Sequence, residues 1–178
     1  MKLRSIELAL PDAAKAAHFM VKTWGLADAG VQGDTYYLRG SGTFPYLVSF
    51  TESTDDFVRS TSFVCSDDEL AALTTRVAAS GFPARPVVSE DLGGGHGLIV
   101  ELPDGELLRF LAGAQDVASL PGKPDMPVKL THVVFNATDA EASGHVVEDV
   151  LGFRVSDRTK GMVFVRCNLS HHSTAFAR

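Results

Sequence analysis

The histidines are the residues of this sequence with the widest scope for acid–base or metal chemistry near neutral pH. His171 and His172 stand next to each other near the C-terminal end, and His132 lies in an apolar, β-branched stretch, Leu130 to Phe135, that predicts a strand. Successive side chains of a strand point to opposite faces, so we expect His171 and His172 to face different ways. An imidazole at such a position can bind a metal, transfer a proton or hydrogen-bond a core carbonyl. Position alone leaves these three roles open.

The remaining histidines predict no site. His18 and His145 occupy equivalent positions in two predicted helices, where we expect exposed side chains. His96 lies in a glycine-rich stretch, residues 93–97, which predicts a flexible loop. That loop is not a phosphate-binding loop, because no helix and no Lys-Ser/Thr pair follows it.

Composition excludes several classes of protein. The chain has 178 residues, a net charge of -6 and a pI near 5.4, with no cluster of Lys and Arg, so we expect no nucleic-acid partner. We also expect no membrane span, since no apolar run approaches about 20 residues. The early charges of residues 1–7 do not fit a secretory signal. Cys65 and Cys167 are far apart and form no CxxC motif, which favours reduced thiols and a cytoplasmic location.

An internal repeat organises the chain. Two stretches match each other without a gap over about 40 residues, which indicates a duplicated supersecondary unit. The matching segments are Ser5–Leu8 with His132–Phe135, Trp24–Leu26 with Leu151–Phe153, and Tyr36–Arg39 with Val163–Arg166. A third copy occupies the middle of the chain in more divergent form.

Each copy predicts one strand, one helix and three further strands. In the last copy, Thr138 to Glu141 has the form of a capping box that opens a helix to about Val150. In the middle copy, Ser66 to Glu69 opens a helix to about Ser80 in the same way. Strands are predicted after each helix, at 87–88, 97–102 and 107–111 in the middle copy and at 153–156, 162–166 and 172–177 in the last.

The predicted fold class is therefore α+β, built from three βαβββ modules at about 3–53, 57–112 and 129–178. The first two modules can pair into one domain, residues 1–112. Residues 113–128, with several prolines and polar residues, predict a linker. The third module, residues 129–178, is predicted to be an incomplete half-domain with an open edge, and we expect a homo-oligomer.

Three segments of the last module carry a resemblance to a known family. They are Leu130–Asn136, Asp149–Arg158 and Phe164–Phe176, the last containing Cys-Asn-x-x-His-His-x-x-Ala at positions 167–175. These segments resemble the third module of the type I extradiol ring-cleaving dioxygenases. Paired βαβββ modules are the build of the vicinal oxygen chelate superfamily, which includes those enzymes, glyoxalase I and the bleomycin-resistance proteins. The N-terminal Ile6–Asp12 and Trp24–Leu26 resemble the non-catalytic domain of the same dioxygenases.

The resemblance implies an oxidoreductase of aromatic catabolism that cleaves a small catechol-type substrate. It implies a non-haem Fe(II), with Mn(II) as the alternative, held by two His and one Glu in a facial triad. His132 matches the first metal ligand, and His172 matches the histidine that serves as catalytic acid and base. The substrate-binding residues stay unknown, because substrate contacts in the family come largely from a fourth module.

The spacing of the modules places that fourth module, with the second His and the Glu, beyond Arg178. We therefore expect a truncated, inactive chain whose metal site can remain empty. In the N-terminal pair, the positions that match the ligands and the catalytic histidine carry Ser5, Pro45, Ser60 and Arg109, so we expect that pair to bind no metal.

Two alternatives stay open. Third modules of two chains could pair across a two-fold axis and share a metal site made of His132 and His172 from each chain. The chain could instead be a non-enzymatic binding module, as in the bleomycin-resistance proteins, that holds an aromatic ligand without chemistry.

Overall fold

Residues 1–178 are all described by the computed structural model, and they form three successive βαβββ units. The first unit contains β1 (Lys2–Leu10), α1 (Ala13–Trp24), β2 (Ala27–Gln32), β3 (Thr35–Arg39) and β4 (Val48–Glu52). The second contains β5 (Phe57–Val64), α2 (Asp67–Ser80), β6 (Ala84–Val88), β7 (His96–Glu101) and β8 (Leu107–Ala112). The third contains β9 (Val133–Asn136), α3 (Ala140–Asp149), β10 (Arg154–Thr159), β11 (Met162–Arg166) and β12 (Thr174–Ala177). The predicted α+β class with three such modules is confirmed.

The first two units share one sheet, whereas the third has its own. The eight-stranded sheet has the order β2-β3-β4-β1-β5-β8-β7-β6, and the four-stranded sheet has the order β10-β11-β12-β9. In the larger sheet the first strands of the two units, β1 and β5, pair antiparallel at the centre. In the smaller sheet the corresponding first strand, β9, pairs with β12 on one side and forms the edge on the other. The third unit is therefore half of the arrangement that the first two complete.

An apolar core joins the third unit to the second. Phe63 stacks on Phe110 with ring centroids 5.3 Å apart, and Phe153 from the third unit meets Phe63 edge to face at 5.5 Å. The same core contains buried side chains from both helices, including Leu73 of α2 and Val147 of α3. The two sheets consequently share one continuous core.

The segment between β8 and β9 follows the surface of the first unit and contains no strand or helix. The amide of Ser41 donates to the carbonyl of Pro127 at 2.9 Å, and the amide of Gly42 donates to the carbonyl of Val128 at 3.2 Å. Position 40 must be glycine for this approach, because a Cβ there would lie 2.5 Å from the carbonyl oxygen of Pro127. The segment is thus fixed by backbone hydrogen bonds.

The helix starts show how far local sequence rules apply. Ser66 and Glu69 form the predicted capping box of α2 with both reciprocal hydrogen bonds. The capping box predicted at Thr138 is wrong: Asp139 caps α3 by accepting from the amide of Ala142, and the amide of Thr138 donates to the Asp104 carboxylate. None of the three helices combines the length and the apolar content needed to span a bilayer.

Candidate functional site

His132 and His172 lie side by side at one end of the four-stranded sheet. β9 and β12 are parallel neighbours, and the amide of Val133 donates to the carbonyl of Ser173 at 3.2 Å. The two histidines therefore precede adjacent strands at the same end, and their ring centroids are 4.4 Å apart. The structure thus brings together the two residues that the sequence singled out.

The surroundings of His172 are aromatic and basic. Phe164 of β11 meets its ring edge to face with centroids 5.2 Å apart, and the Nδ1 atoms of His171 and His172 are 2.9 Å apart, so one of them donates to the other. Burial lowers the pKa of His172, and the nearby His132 and His171 lower it further. His172 is consequently a neutral imidazole near pH 7. His132 is exposed, and its Nδ1 is 3.1 Å from the hydroxyl of Thr131.

The donor atoms of this cluster do not complete a metal site within the chain. No group of three or more His, Cys, Asp or Glu side chains is placed to hold a metal ion. The Asp157 carboxylate approaches Nε2 of His171 at 4.0 Å, which pairs it with a histidine. A facial triad needs two imidazoles and one carboxylate on one face of the metal. His132 and His172 supply imidazoles alone, so these residues do not fit the predicted metal by themselves.

The equivalent centre of the eight-stranded sheet is filled by a buried carboxylate. Glu7 is 1% exposed and accepts hydrogen bonds from the hydroxyls of Ser5, at 2.6 Å, and Ser60, at 2.8 Å. Ser62 donates to both carboxylate oxygens at 3.0 and 2.9 Å, and the Arg109 guanidinium lies 3.6 Å away. Ser5, Ser60 and Arg109, which sequence comparison placed at ligand-equivalent positions, therefore converge on one point. The side chains that meet at this centre are ion-paired charged groups and hydroxyls.

Arg109 links this carboxylate to the loop between β6 and β7. Its guanidinium contacts Asp91 at 2.7 Å, and the Tyr37 hydroxyl donates to the same carboxylate at 2.8 Å. Burial opposes ionisation of Asp91, but the Arg109 charge and the Tyr37 hydrogen bond outweigh it and hold the pKa of Asp91 below its usual value. Burial together with Asp91 raises the pKa of Tyr37. These contacts of Asp91 hold the loop between β6 and β7 over the centre of the eight-stranded sheet.

Glu7 was not predicted from the sequence, although the residue pattern of its strand indicates a polar group there. Ser5 and Glu7 alternate along a strand that is otherwise apolar from Ile6 onwards, which indicates a polar patch on one face. A register shift between Leu3 and Ser5 is characteristic of a β-bulge, and it lets Arg4 join the same patch. Arg4 donates to the hydroxyl of Tyr46, which donates in turn to Glu7.

Position 45 was compared with His172 in the sequence. Pro45 is buried and has no polar side-chain atom, and the adjacent Tyr46 supplies the polar group instead. Alignment of the repeat therefore located the centre of the patch and missed four of its members, Arg4, Glu7, Tyr46 and Ser62.

Comparison with solved structures gives close matches over almost the whole chain. A Mn(II)-bound glyoxalase from Novosphingobium aromaticivorans matches with a TM-score of 0.90 and 25% identity, over 99% of this chain and 61% of that one. A homoprotocatechuate 2,3-dioxygenase from Brevibacterium fuscum, in complex with 3,4-dihydroxyphenylacetate, matches with a TM-score of 0.88 and 21% identity, over 99% and 60%. The 2,3-dioxygenase LapB from Pseudomonas sp. KL28 matches with a TM-score of 0.83 and 18% identity, over 99% and 69%.

These matches are matches of fold. No family sequence model matches the chain, and no curated protein sequence matches it. The chain spans about 60% of the length of the glyoxalase and of the homoprotocatechuate dioxygenase. Its three βαβββ units superpose on proteins of both kinds. The chain therefore has the vicinal oxygen chelate fold, in the form shared by glyoxalase and extradiol dioxygenase structures.

Proposed function

We propose that this chain is part of an extradiol-type, ring-cleaving oxidoreductase that acts on a small catechol-type aromatic with a non-haem metal. The observation that carries the proposal is the contact between His132 and His172, whose rings lie 4.4 Å apart at the ends of adjacent parallel strands. The likeness to a 2,3-dioxygenase complexed with 3,4-dihydroxyphenylacetate supports a catechol-type substrate. The likeness to a Mn(II)-bound glyoxalase supports a divalent metal, Fe(II) or Mn(II).

In this proposal His132 is a metal ligand and His172 is the acid and base. A neutral imidazole can accept a proton from a catechol hydroxyl and return it later, which suits a histidine whose pKa is lowered by burial. Phe164, which packs edge to face on His172, offers an apolar wall for the substrate ring. The metal, when bound, supplies the redox chemistry with dioxygen.

The second imidazole and the carboxylate of the triad come from outside these 178 residues. A fourth module, paired with β9 as β5 pairs with β1, would supply them by the route that the resemblance implies. A second copy of the chain, paired through the same edge, would supply His132 and His172 again and no carboxylate. A homodimer of this kind is the second candidate, and the open edge of β9 favours it.

Metal titration under anaerobic conditions tests the proposal. We expect the full chain to bind Mn(II) or Fe(II) weakly, and His132→Ala to weaken that binding by about tenfold or more. His145→Ala is the matched control, since His145 is exposed on α3 away from the cluster. Metal binding that is the same in His132→Ala as in the unaltered chain would refute the role of His132.

Oxygen uptake with a catechol and Fe(II) tests the chemistry itself. A chain completed by a second copy should sediment as a dimer and bind half a metal per chain. Binding of a catechol that survives both His132→Ala and His172→Ala, with no oxygen uptake in any form, would favour a non-enzymatic binding module.

A further inference from the structure

Two arginines stand opposite each other at the edge of a cleft beside the histidine cluster. Arg154 of β10 is the direct cross-strand partner of Arg166 of β11. Both line a cleft of about 470 Å³ between the third unit and the start of α2. This volume lies within the range of about 300–1,000 Å³ that is usual for sites of small organic ligands. Met1, Glu69 and Leu169 also line this cleft.

Neither guanidinium has a counter-charge in the structure. No carboxylate lies within 4 Å of Arg154 or Arg166, and neither side chain makes a hydrogen bond within the chain. Glu69, the acid in the cleft, is paired with the Met1 ammonium group. Directly opposed like charges on neighbouring strands are destabilising, so the arrangement leaves a site that an anion would neutralise.

We propose that this cleft binds the carboxylate of a small aromatic acid. The planar fork of each guanidinium can donate two parallel hydrogen bonds to a carboxylate, which suits arginine to this ligand more than lysine. The fully exposed Leu169 side chain and Met1 give the cleft apolar surface for the body of the ligand. An anion with an apolar body therefore fits better than inorganic phosphate.

The cleft lies at the same end of the sheet as His132 and His172. β11 runs antiparallel to both β10 and β12, so the end of β11 at Arg166, the start of β10 at Arg154 and the start of β12 are neighbours. Arg166 is two strands from His132, a separation of about 10 Å. The cleft can bind a carboxylate whether or not the proposed function holds. The further step, that this carboxylate belongs to the substrate, rests on the proposed function.

Calorimetric titration of the full chain with benzoate at low salt tests the proposal. We expect saturable binding of one benzoate per chain, weakened by about tenfold or more in Arg166→Gln and in Arg154→Gln. Arg85→Gln, the same charge change at an exposed position of β6, should retain the affinity of the unaltered chain. The neutral probe benzamide should bind at least about tenfold more weakly than benzoate.

His132→Ala separates this site from the metal proposal, because it should leave benzoate affinity unchanged. The proposal is overturned by the absence of saturable benzoate binding, by equal affinity for benzamide, or by inorganic phosphate binding as tightly as benzoate. A second measurement needs no ligand: Arg154→Gln relieves the repulsion and should raise the thermal midpoint of the free chain. A lowered midpoint would show that Arg154 is already paired, and would also overturn the proposal.

Discussion

Equivalent positions of the two sheets have opposite characters: they form a closed centre between β1 and β5 in the larger sheet and an open site beside the edge strand β9 in the smaller one. In the eight-stranded sheet, Ser5 is fully buried and donates to the buried Glu7. In the four-stranded sheet, His132 stands at the position matched to Ser5, and it is exposed. The difference follows from pairing, since β5 covers the side of β1 that has no counterpart beside β9. A closed centre must satisfy its own polar groups, whereas an open one can leave imidazoles free for a ligand.

The closed centre is held together by electrostatics as well as packing. A buried carboxylate is costly unless it is paired and hydrogen-bonded, and Glu7 has hydroxyl donors on both oxygens and two guanidiniums within 4 Å. Arg4 depends on Glu7 in the same way, because it is fully buried, whereas the nearly buried Arg109 also pairs with Asp91. Removing Glu7 therefore leaves Arg4 without a carboxylate within 4 Å.

Glu7→Ala should therefore have the largest effect on stability. Loss of the carboxylate leaves two buried guanidiniums without their shared partner, and we expect a loss of about 3–5 kcal/mol in the free energy of unfolding. Urea denaturation followed by circular dichroism measures it. Ser60→Ala, which removes one hydroxyl donor, is the control and should cost about 1 kcal/mol. Equal losses in the two variants would contradict the view that charge pairing holds this centre.

The two sheets differ in their centres but share a core, and Leu151→Ala tests that connection. Leu151 is fully buried in the cluster that joins α3 to α2, and its truncation should lower the free energy of unfolding by about 2–5 kcal/mol. We expect a single unfolding transition in the unaltered chain and in the variant, measured by calorimetry and by near-ultraviolet circular dichroism. Two separate transitions would show that the third unit folds independently of the second.

Sequence reasoning located the histidine pair because repeat and motif are local signals. The match of Ser5–Leu8 to His132–Phe135 gave the register of the modules, and the resemblance of the motif at positions 167–175 to the extradiol dioxygenases identified His172. The structure confirms the three βαβββ units that this register predicts.

Long-range contacts were the part that local patterns could not supply. The contacts of Glu7 with Ser60 and Arg109 join residues from three strands, and the spacing of those residues in the sequence does not predict these contacts. The cap of α3 was misplaced for a related reason: the amide of Thr138 is taken by Asp104, which is remote in the chain. Pairs of this kind follow from the packing of whole units.

Asp91→Asn probes how the loop over the closed centre responds to acid. The depressed pKa of Asp91 means that its ion pair with Arg109 stabilises the fold above about pH 4, the unfolded value, and that this stabilisation is lost as the pH falls through the lower, folded pKa. We expect Asp91→Asn to cost about 2 kcal/mol at pH 7 and progressively less below pH 4. Urea denaturation at a series of pH values measures the difference. A cost that stays constant across the acid range would contradict the ion pair.

His132→Ala should have the smallest effect on stability, and it sharpens the contrast with Glu7→Ala most directly. The side chain is exposed, and its one hydrogen bond, with the Thr131 hydroxyl, is local, so we expect a change within about 0.5 kcal/mol in the free energy of unfolding. Urea denaturation without metal measures it, and His145→Ala provides the baseline for an exposed histidine. A loss as large as that of Glu7→Ala would mean that the imidazole is part of the structural core, and His132 would then be unavailable as a ligand. A negligible loss would leave binding as the reason for a histidine at this position, because the fold itself does not depend on it.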